Sequence, residues 1–230
     1  MKRIYIPSCG HDDNKVKMAI AVGLRECKNC GGRELSLITP VKDNLDTITV
    51  GKVLGRQTAR RLMKGKRVTC QGTGVRLSHD SIRTVQQGRV GEVGIAIYLA
   101  EKDLRKLDDL CFDCLIYIPW VEGEGQEWAQ RWAAETVCGD PIESDIVLPK
   151  AVVESLESLT RCVNLSKGLG HDSDEKLAKT KFKELRDAGV TWDPREVEKW
   201  AVRNQWEASD AKELSDLSAR YCQEGNGNVP

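Results

Sequence analysis

The chain has 230 residues, of which 40% are hydrophobic and 30% charged, a composition typical of a globular protein. The 35 lysines and arginines balance the 35 aspartates and glutamates, so the formal net charge is zero. No window is apolar enough for a membrane span or a signal peptide, and nine cysteines without a framework spacing are typical of free thiols. We therefore expect a cytoplasmic protein without a membrane partner.

Five short apolar segments predict strands, and the amphipathic segments between them predict helices. The strands are expected at 3–8, 34–40, 67–70, 94–99 and 114–120. The helices are expected at 16–27, 50–62, 78–87, 104–110 and 126–136. The last two strands are almost continuously apolar, which is typical of parallel strands buried on both faces. Residues 1–143 are thus predicted to form a Rossmann-like α/β domain, with an open, mostly parallel five-stranded sheet flanked by helices.

Residues 144–230 show no strand signal and predict a helical domain of four helices. The first helix is expected over 149–164. Asp172 with Glu175 and Asp193 with Pro194 have the spacing of helix starts, and Ser209 begins the last helix. The final residues, from Glu224, are expected to be disordered.

The balanced total charge hides a local asymmetry. Residues 1–100 carry 18 basic and 8 acidic residues, whereas residues 101–230 carry 17 basic and 27 acidic ones. From Arg56 to Arg89 there are nine basic residues and a single acid, Asp80. Such an excess indicates an anionic partner. The alternative is that the acidic half packs against the basic half, within one chain or in a homo-oligomer.

A helix face within this basic segment is a candidate nucleic-acid contact. Arg56, Arg60 and Lys64 follow one another at helical spacing, and Arg61 lies beside them. Such a stripe can contact phosphates. A solvated helix face is the simpler interpretation, and the segment has no aromatic residues on which bases could stack.

The loop after the third predicted strand is a candidate phosphate site. Gly72-Thr73-Gly74 would lie at the carboxyl end of that strand, where open parallel sheets bind ligands. A Gly-x-Gly turn lets backbone amides approach a phosphate, and Arg76 and Arg83 could add charge-assisted hydrogen bonds. Leu77 stands where the third glycine of a dinucleotide fingerprint would be, so a tight turn with a helix cap is the alternative.

The loop after the first strand is a second candidate. Ser8 and Gly10 are predicted to contact a ligand there, because the first strand's end is a common ligand site in this architecture. His11 precedes Asp12, and His79 precedes Asp80. Either histidine could act as an acid or base in an enzyme that acts on a nucleotide-like molecule. The simpler alternative is that Asp12 caps the first helix.

Two Cys-x-x-Cys pairs have the spacing of zinc ligands but do not predict a metal site. Cys27 and Cys30 lie at a helix end, and Cys111 and Cys114 lie about 80 residues away at a strand entry. Cys27 and Cys114 fall on positions expected to be buried, where a free cysteine behaves as a small hydrophobe. The sequence identifies no cofactor.

These features predict a module that binds phosphate, a nucleotide or nucleic acid, using the basic face at 56–89 together with the loops at 8–13 and 71–80. In that hypothesis the two loops and the basic helix meet at one rim of the sheet. The alternatives are the enzyme just described and an interaction protein whose charged halves pair between subunits.

Overall fold

The computed structural model describes residues 1–42, 45, 49–86, 92–110 and 112–223. The chain divides into two compact units, Met1–Glu143 and Ser144–Pro230. The first is an α/β unit and the second a helical unit, and each is described by itself.

A single sheet forms the centre of the α/β unit. Its strands are β1 Lys2–Tyr5, β2 Glu34–Thr39, β3 Val68–Thr69, β4 Arg76–Ser81, β5 Glu92–Ile97, β6 Cys114–Ile118 and β7 Glu135–Thr136. Their order is β3-β4-β2-β5-β6-β1-β7. All neighbours from β4 to β7 pair in parallel, whereas β3 is antiparallel to β4. The predicted α/β class and mostly parallel sheet are confirmed, but the described residues form seven strands rather than five, and the sheet is mixed.

Residues 76–81 form strand β4, although a helix was expected from residue 78. Leu77, His79 and Ser81 are buried on one side of this strand, while Arg76 is exposed on the other. This alternation is the period of a strand, but histidine and serine at buried positions hide it from a hydrophobicity pattern. Strands β3 and β7 have only two residues each, too few for any periodic signal.

Helices cover both faces of the sheet. The bounds are α1 Asp13–Cys30, α2 Thr49–Leu54, α3 Arg56–Met63, α4 Glu101–Asp108 and α5 Gln126–Trp132. Apolar side chains of α1, α2 and α3 share one core with strand residues such as Ile116. Side chains of α4 and α5 share the opposite core with Leu115 and Tyr117. Successive strand residues point to opposite faces, so β6 contributes to both cores and is fully covered.

Local chemistry fixes the start and the end of α1. The Asp12 carboxylate accepts hydrogen bonds from the backbone amides of Asn14 and Lys15, as expected of an N-cap. The helix ends at Gly31, whose φ of 71° is a left-handed conformation that glycine adopts without strain. The loop from Pro7 to Asp12 is thereby held between the carboxyl end of β1 and the start of α1.

The helical unit contains α6 Lys150–Cys162, α7 Asp172–Asp187, α8 Pro194–Arg203 and α9 Ala208–Gln223. Asp193 caps α8, and Pro194 is at its first position, as the sequence indicates. Asp172 does not cap α7, because the helix begins one residue earlier than expected and His171 stands at its N-cap. Trp206 donates from its indole Nε1 to Thr160 Oγ1 at 3.0 Å within this unit. The predicted disorder from Glu224 lies outside the described residues.

Candidate functional site

The two loops predicted to form one site lie at opposite edges of the sheet. The loop from Pro7 to Asp12 follows β1 and therefore lies at the carboxyl edge of the parallel strands. The segment Gly72–Gly74 joins the antiparallel β3 to β4 and precedes β4, so it lies at the amino edge. The expectation that both loops meet at one rim is wrong, because β3 reverses the chain before the glycines.

Turn geometry accounts for the glycines of the β3–β4 hairpin. Gly72 and Gly74 have φ values of 80° and 70°, which other residues adopt only with strain. The Cys70 amide donates to the Val75 carbonyl at 2.8 Å, and the Val75 amide donates to Thr73 Oγ1 at 3.3 Å. No helix follows this turn, so it lacks the helix amino end on which the phosphate interpretation depended.

The two arginines assigned to this phosphate site are also separated. Arg76 begins β4 and lies 3.6 Å from the Glu34 carboxylate, a group that Arg67 also contacts at 2.7 Å. Arg83 follows the carboxyl end of β4 and is exposed. Strand β4 is four strand spacings from β1, about 19 Å at about 4.8 Å per strand. Arg76 and Arg83 therefore cannot share one phosphate with the loop after β1.

His79 does not lie in a loop but in the middle of β4. It is 5% exposed, and its Nε2 bonds to Thr39 Oγ1 at 2.8 Å, while its Nδ1 has no hydrogen-bond partner among the described residues. Burial, together with the positive charge of Lys42, lowers the pKa of His79 to about 4. Asp80, whose pKa is raised by burial, is the next residue in the strand and points to the opposite face. The expectation that His79 lies in a strand-end loop beside Asp80 is therefore wrong, and its role as an acid or base stays a prediction.

His11 lies at the carboxyl edge, as expected, but without a carboxylate partner among the described contacts. Its Nδ1 is 2.9 Å from Thr49 Oγ1, and its ring meets Trp120 edge to face at 4.7 Å. Asp12 is the helix cap of α1, as the simpler alternative had it. Trp120 in turn meets Tyr98 edge to face at 5.0 Å. The ends of β1, β5 and β6 thus form one aromatic cluster.

Tyr98 is a residue that the sequence analysis missed. It directly follows β5 and has a φ of 58°, an uncommon conformation for a tyrosine. The residue is 8% exposed, and its hydroxyl is buried without a hydrogen-bond partner in the described part of the chain. In the sequence Tyr98 is one more apolar residue of a buried strand, so no signal distinguished it.

A cavity of about 610 Å³ opens beside the loop after β1, and we call it the strand-end cavity. Six of its polar lining residues are Ser8, Asp12, Lys15, Glu122, Gln126 and Asp140. Ser8 lines this cavity, and its predicted contact with a ligand stays a prediction. The Gly10 amide donates to the Trp120 carbonyl at 2.7 Å, so Gly10 shapes the turn. The residues contributed by the loops after β6 and β7 were not identifiable from sequence, because the strand order was unknown.

A second feature is an exposed patch of positive charge on and just after α3. We call it the basic surface, and it consists of Arg56, Arg60, Arg61, Lys64 and Lys66, all exposed. Ala59 and Leu62, on the other side of the helix, are buried in the core. From Thr47 to His79 the chain has eight lysines and arginines and no acidic residue. This stretch of the sequence therefore carries only positive charge.

Comparison with known proteins gives one match. A family model described as "Domain of unknown function (DUF1889)" matches residues 148–226, which lie within the helical unit. No curated protein and no solved structure matches the chain. The match covers about a third of the chain and lies outside the α/β unit.

The described cysteines and carboxylates do not form a metal centre. Among the residues that the structure describes, no group of three or more His, Cys, Asp or Glu side chains could hold a metal ion. Burial raises the pKa of Cys27 and of Cys114 to about 12, so both thiols stay protonated. Cys111 lies outside the described residues. Within the described ranges, no helix has the length and hydropathy that crossing a bilayer would require.

Proposed function

We propose that this is a cytoplasmic nucleic-acid-binding protein and that its α/β unit contacts the phosphate backbone through the basic surface. The observation that carries the proposal is the run of eight basic residues without an acid from Thr47 to His79, with the basic side chains of α3 exposed. Phosphate contacts supply most of the affinity of non-specific nucleic-acid binding. The parallel strands covered by helices on both faces also support a Rossmann-like classification of this unit.

The spacing of the basic surface suits a regular row of phosphates. Four residues of helix advance about 6 Å along its axis. Arg56, Arg60 and Lys64 follow one another at four-residue intervals on and just after α3, so their charges form one row along the helix. Such a row is suited to contact successive phosphates of one strand.

The absence of aromatic residues favours contacts with the backbone over contacts with bases. The sequence from Thr47 to His79 contains no Phe, Trp or Tyr. Single-strand binders use such rings as platforms for stacked bases. We therefore propose binding to duplex nucleic acid with little sequence preference.

A polar groove of about 330 Å³ adjoins the basic surface at Lys66. Its lining carries balanced charge: three bases, Lys42, Lys66 and Arg67, and three acids, Glu34, Asp80 and Glu92. Arg67 already contacts the Glu34 carboxylate at 2.7 Å. The acids of the groove oppose a phosphate backbone there, so the proposed contact is confined to the basic surface.

Fluorescence anisotropy with a labelled 20-base-pair duplex, measured over a salt series, tests the proposal. The variant R56Q/R61Q/K64Q removes three exposed charges, and K150Q/K176Q/K183Q removes three exposed charges from the helical unit as a matched control. Each lost phosphate contact should reduce the slope of log K against log salt by about 0.9, so the first variant should lose about 2.7. The control should bind like wild type.

Two results would contradict the proposal. One is the absence of binding at 50 mM salt, and the other is an equal loss of affinity in both variants. If the basic surface instead pairs with acidic residues of a second copy, sedimentation velocity will show a salt-sensitive oligomer that R56Q/R61Q/K64Q disrupts, without any effect of the duplex.

A further inference from the structure

The strand-end cavity lies where the chain connections of the sheet diverge. Strands β1 and β6 are neighbours, but β1 leads to β2 on one side of the pair and β6 leads to β7 on the other. Ligands of open parallel sheets bind outside the carboxyl ends of strands at such a point. The cavity volume of about 610 Å³ also falls within the range of small-molecule sites, about 300–1,000 Å³.

Ser8 gives independent support for a ligand. The residue is 9% exposed, lines the cavity, and has a buried hydroxyl oxygen for which no described residue supplies a hydrogen-bond partner. An unsatisfied buried polar group costs about 1–3 kcal/mol. Because most such groups in native proteins are paired, an unpaired hydroxyl at a cavity wall is well placed to bond a ligand.

The charges around the cavity favour a cation. Asp12, Glu122 and Asp140 line it, against the single base Lys15. Lys15 already donates from Nζ to a backbone carbonyl at 3.3 Å, and the first free amides of α1 donate to Asp12. The amino end of α1, which could otherwise attract a phosphate, is thus occupied by the protein's own carboxylate. Glu122 and Asp140 are exposed, and neither forms an ion pair with a described residue.

We propose that the strand-end cavity binds a small organic cation whose amine or guanidinium group pairs with Glu122 and Asp140. A second polar group of the same ligand bonds Ser8. A phosphate in this position would meet three carboxylates, and like charges brought together oppose binding. The cavity is about 19 Å from β4, beside which the basic surface lies, so this site is separate from the proposed nucleic-acid contact.

Isothermal titration of the full chain tests the site with two probes of opposite charge. Agmatine carries an amine and a guanidinium group, and AMP carries a phosphate. The variant E122Q/D140N removes the two exposed carboxylates, and E127Q/D103N is a control that removes two carboxylates of the same unit that do not line the cavity. Asp12 is left unchanged because it caps α1.

Agmatine should bind wild type and the control alike, and E122Q/D140N should weaken it by between about 2- and 30-fold, the range for two exposed ion pairs. In ¹H–¹⁵N spectra agmatine should shift the amides of residues 8–12. The inference is overturned if agmatine does not bind, if AMP binds in its place, or if both variants lose the same affinity. It is also overturned if agmatine binds without shifting residues 8–12.

Discussion

Replacing Asp108 with asparagine should destabilise the α/β unit by about 3–5 kcal/mol, because the change leaves a buried arginine without its counter-charge. Asp108 is 2% exposed at the end of α4, and Arg3 in β1 is 3% exposed. Arg3 Nε donates to Asp108 Oδ1 at 2.9 Å. The indole groups of Trp128 and Trp132 donate to Oδ2 at 2.9 and 3.0 Å.

The magnitude follows from what asparagine can and cannot replace. The carboxylate is an acceptor at both oxygens and satisfies three donors at once. The asparagine side chain has one acceptor oxygen, and its amide group would face one of the donors. The Arg3 guanidinium, which also lies 4.4 Å from the Trp132 ring centre, would keep its charge in an apolar surrounding.

Hydrogen exchange is the suitable assay, since the two units of the chain can unfold separately and a single denaturation curve need not be two-state. Protection of amides in β1 and β6 should fall roughly 100- to 4,000-fold, at tenfold per 1.4 kcal/mol. The double variant R3M/D108N removes both charges of this buried pair and should be more stable than D108N alone. A loss below about 1 kcal/mol in D108N, or a double variant less stable than D108N, would refute the reasoning.

Two further predictions concern single positions in the same unit. Burial lowers the pKa of His79 to about 4 in the folded chain. In the unfolded chain this histidine takes up a proton near pH 6.5. The free energy of unfolding should therefore fall as the pH drops from about 6.5 to 4. H79Q keeps a side chain that can bond to Thr39 Oγ1, but it should lack the loss of stability that comes from protonation of His79. Urea titrations of wild type and H79Q at pH 7.5 and 5 will measure the difference. G125A should destabilise the α/β unit more than G123A. Both glycines have a positive φ, so alanine is strained at either position. A β-carbon at Gly125 would also overlap the buried Tyr117 ring, whereas one at Gly123 would have no atom within 4 Å. The strain alone costs about 1–2 kcal/mol, and equal melting temperatures of the two variants would show that the ring moves aside freely.

The parts of the fold that could be predicted from sequence are those in which the buried positions carry apolar side chains. Strands β2 and β6 are buried at every residue, and both contain enough apolar side chains for the sequence to predict a strand. Helix α1 combines an apolar face with an aspartate cap and a glycine end, three signals that agree. In β4, by contrast, the core-facing positions include His79 and Ser81, and no hydrophobicity pattern identifies such a strand.

The candidate site was only partly predictable because a site depends on strand order and direction. The sequence located the loop after β1, and Ser8 does line the cavity. It could not show that the ends of β6 and β7 would supply Glu122 and Asp140, since parallel neighbours are distant in sequence. Gly72 and Gly74 correctly indicated a turn. Whether that turn faces the carboxyl or the amino edge depended on β3, whose two residues carry no directional signal.

The reversal at β3 also changes what the charge asymmetry of the sequence means. Had β3 been parallel, the basic segment and the loop after β1 would have shared one edge and one anionic ligand. Instead the basic surface lies beside β4 near one end of the strand order, while the strand-end cavity, with its acidic wall, lies by β1 and β7 at the other. Opposite charges about 19 Å apart are largely screened from each other at physiological salt, where the Debye length is about 8 Å. One α/β unit can therefore hold an anionic polymer and a small cation independently, and the failure of either proposal leaves the other standing.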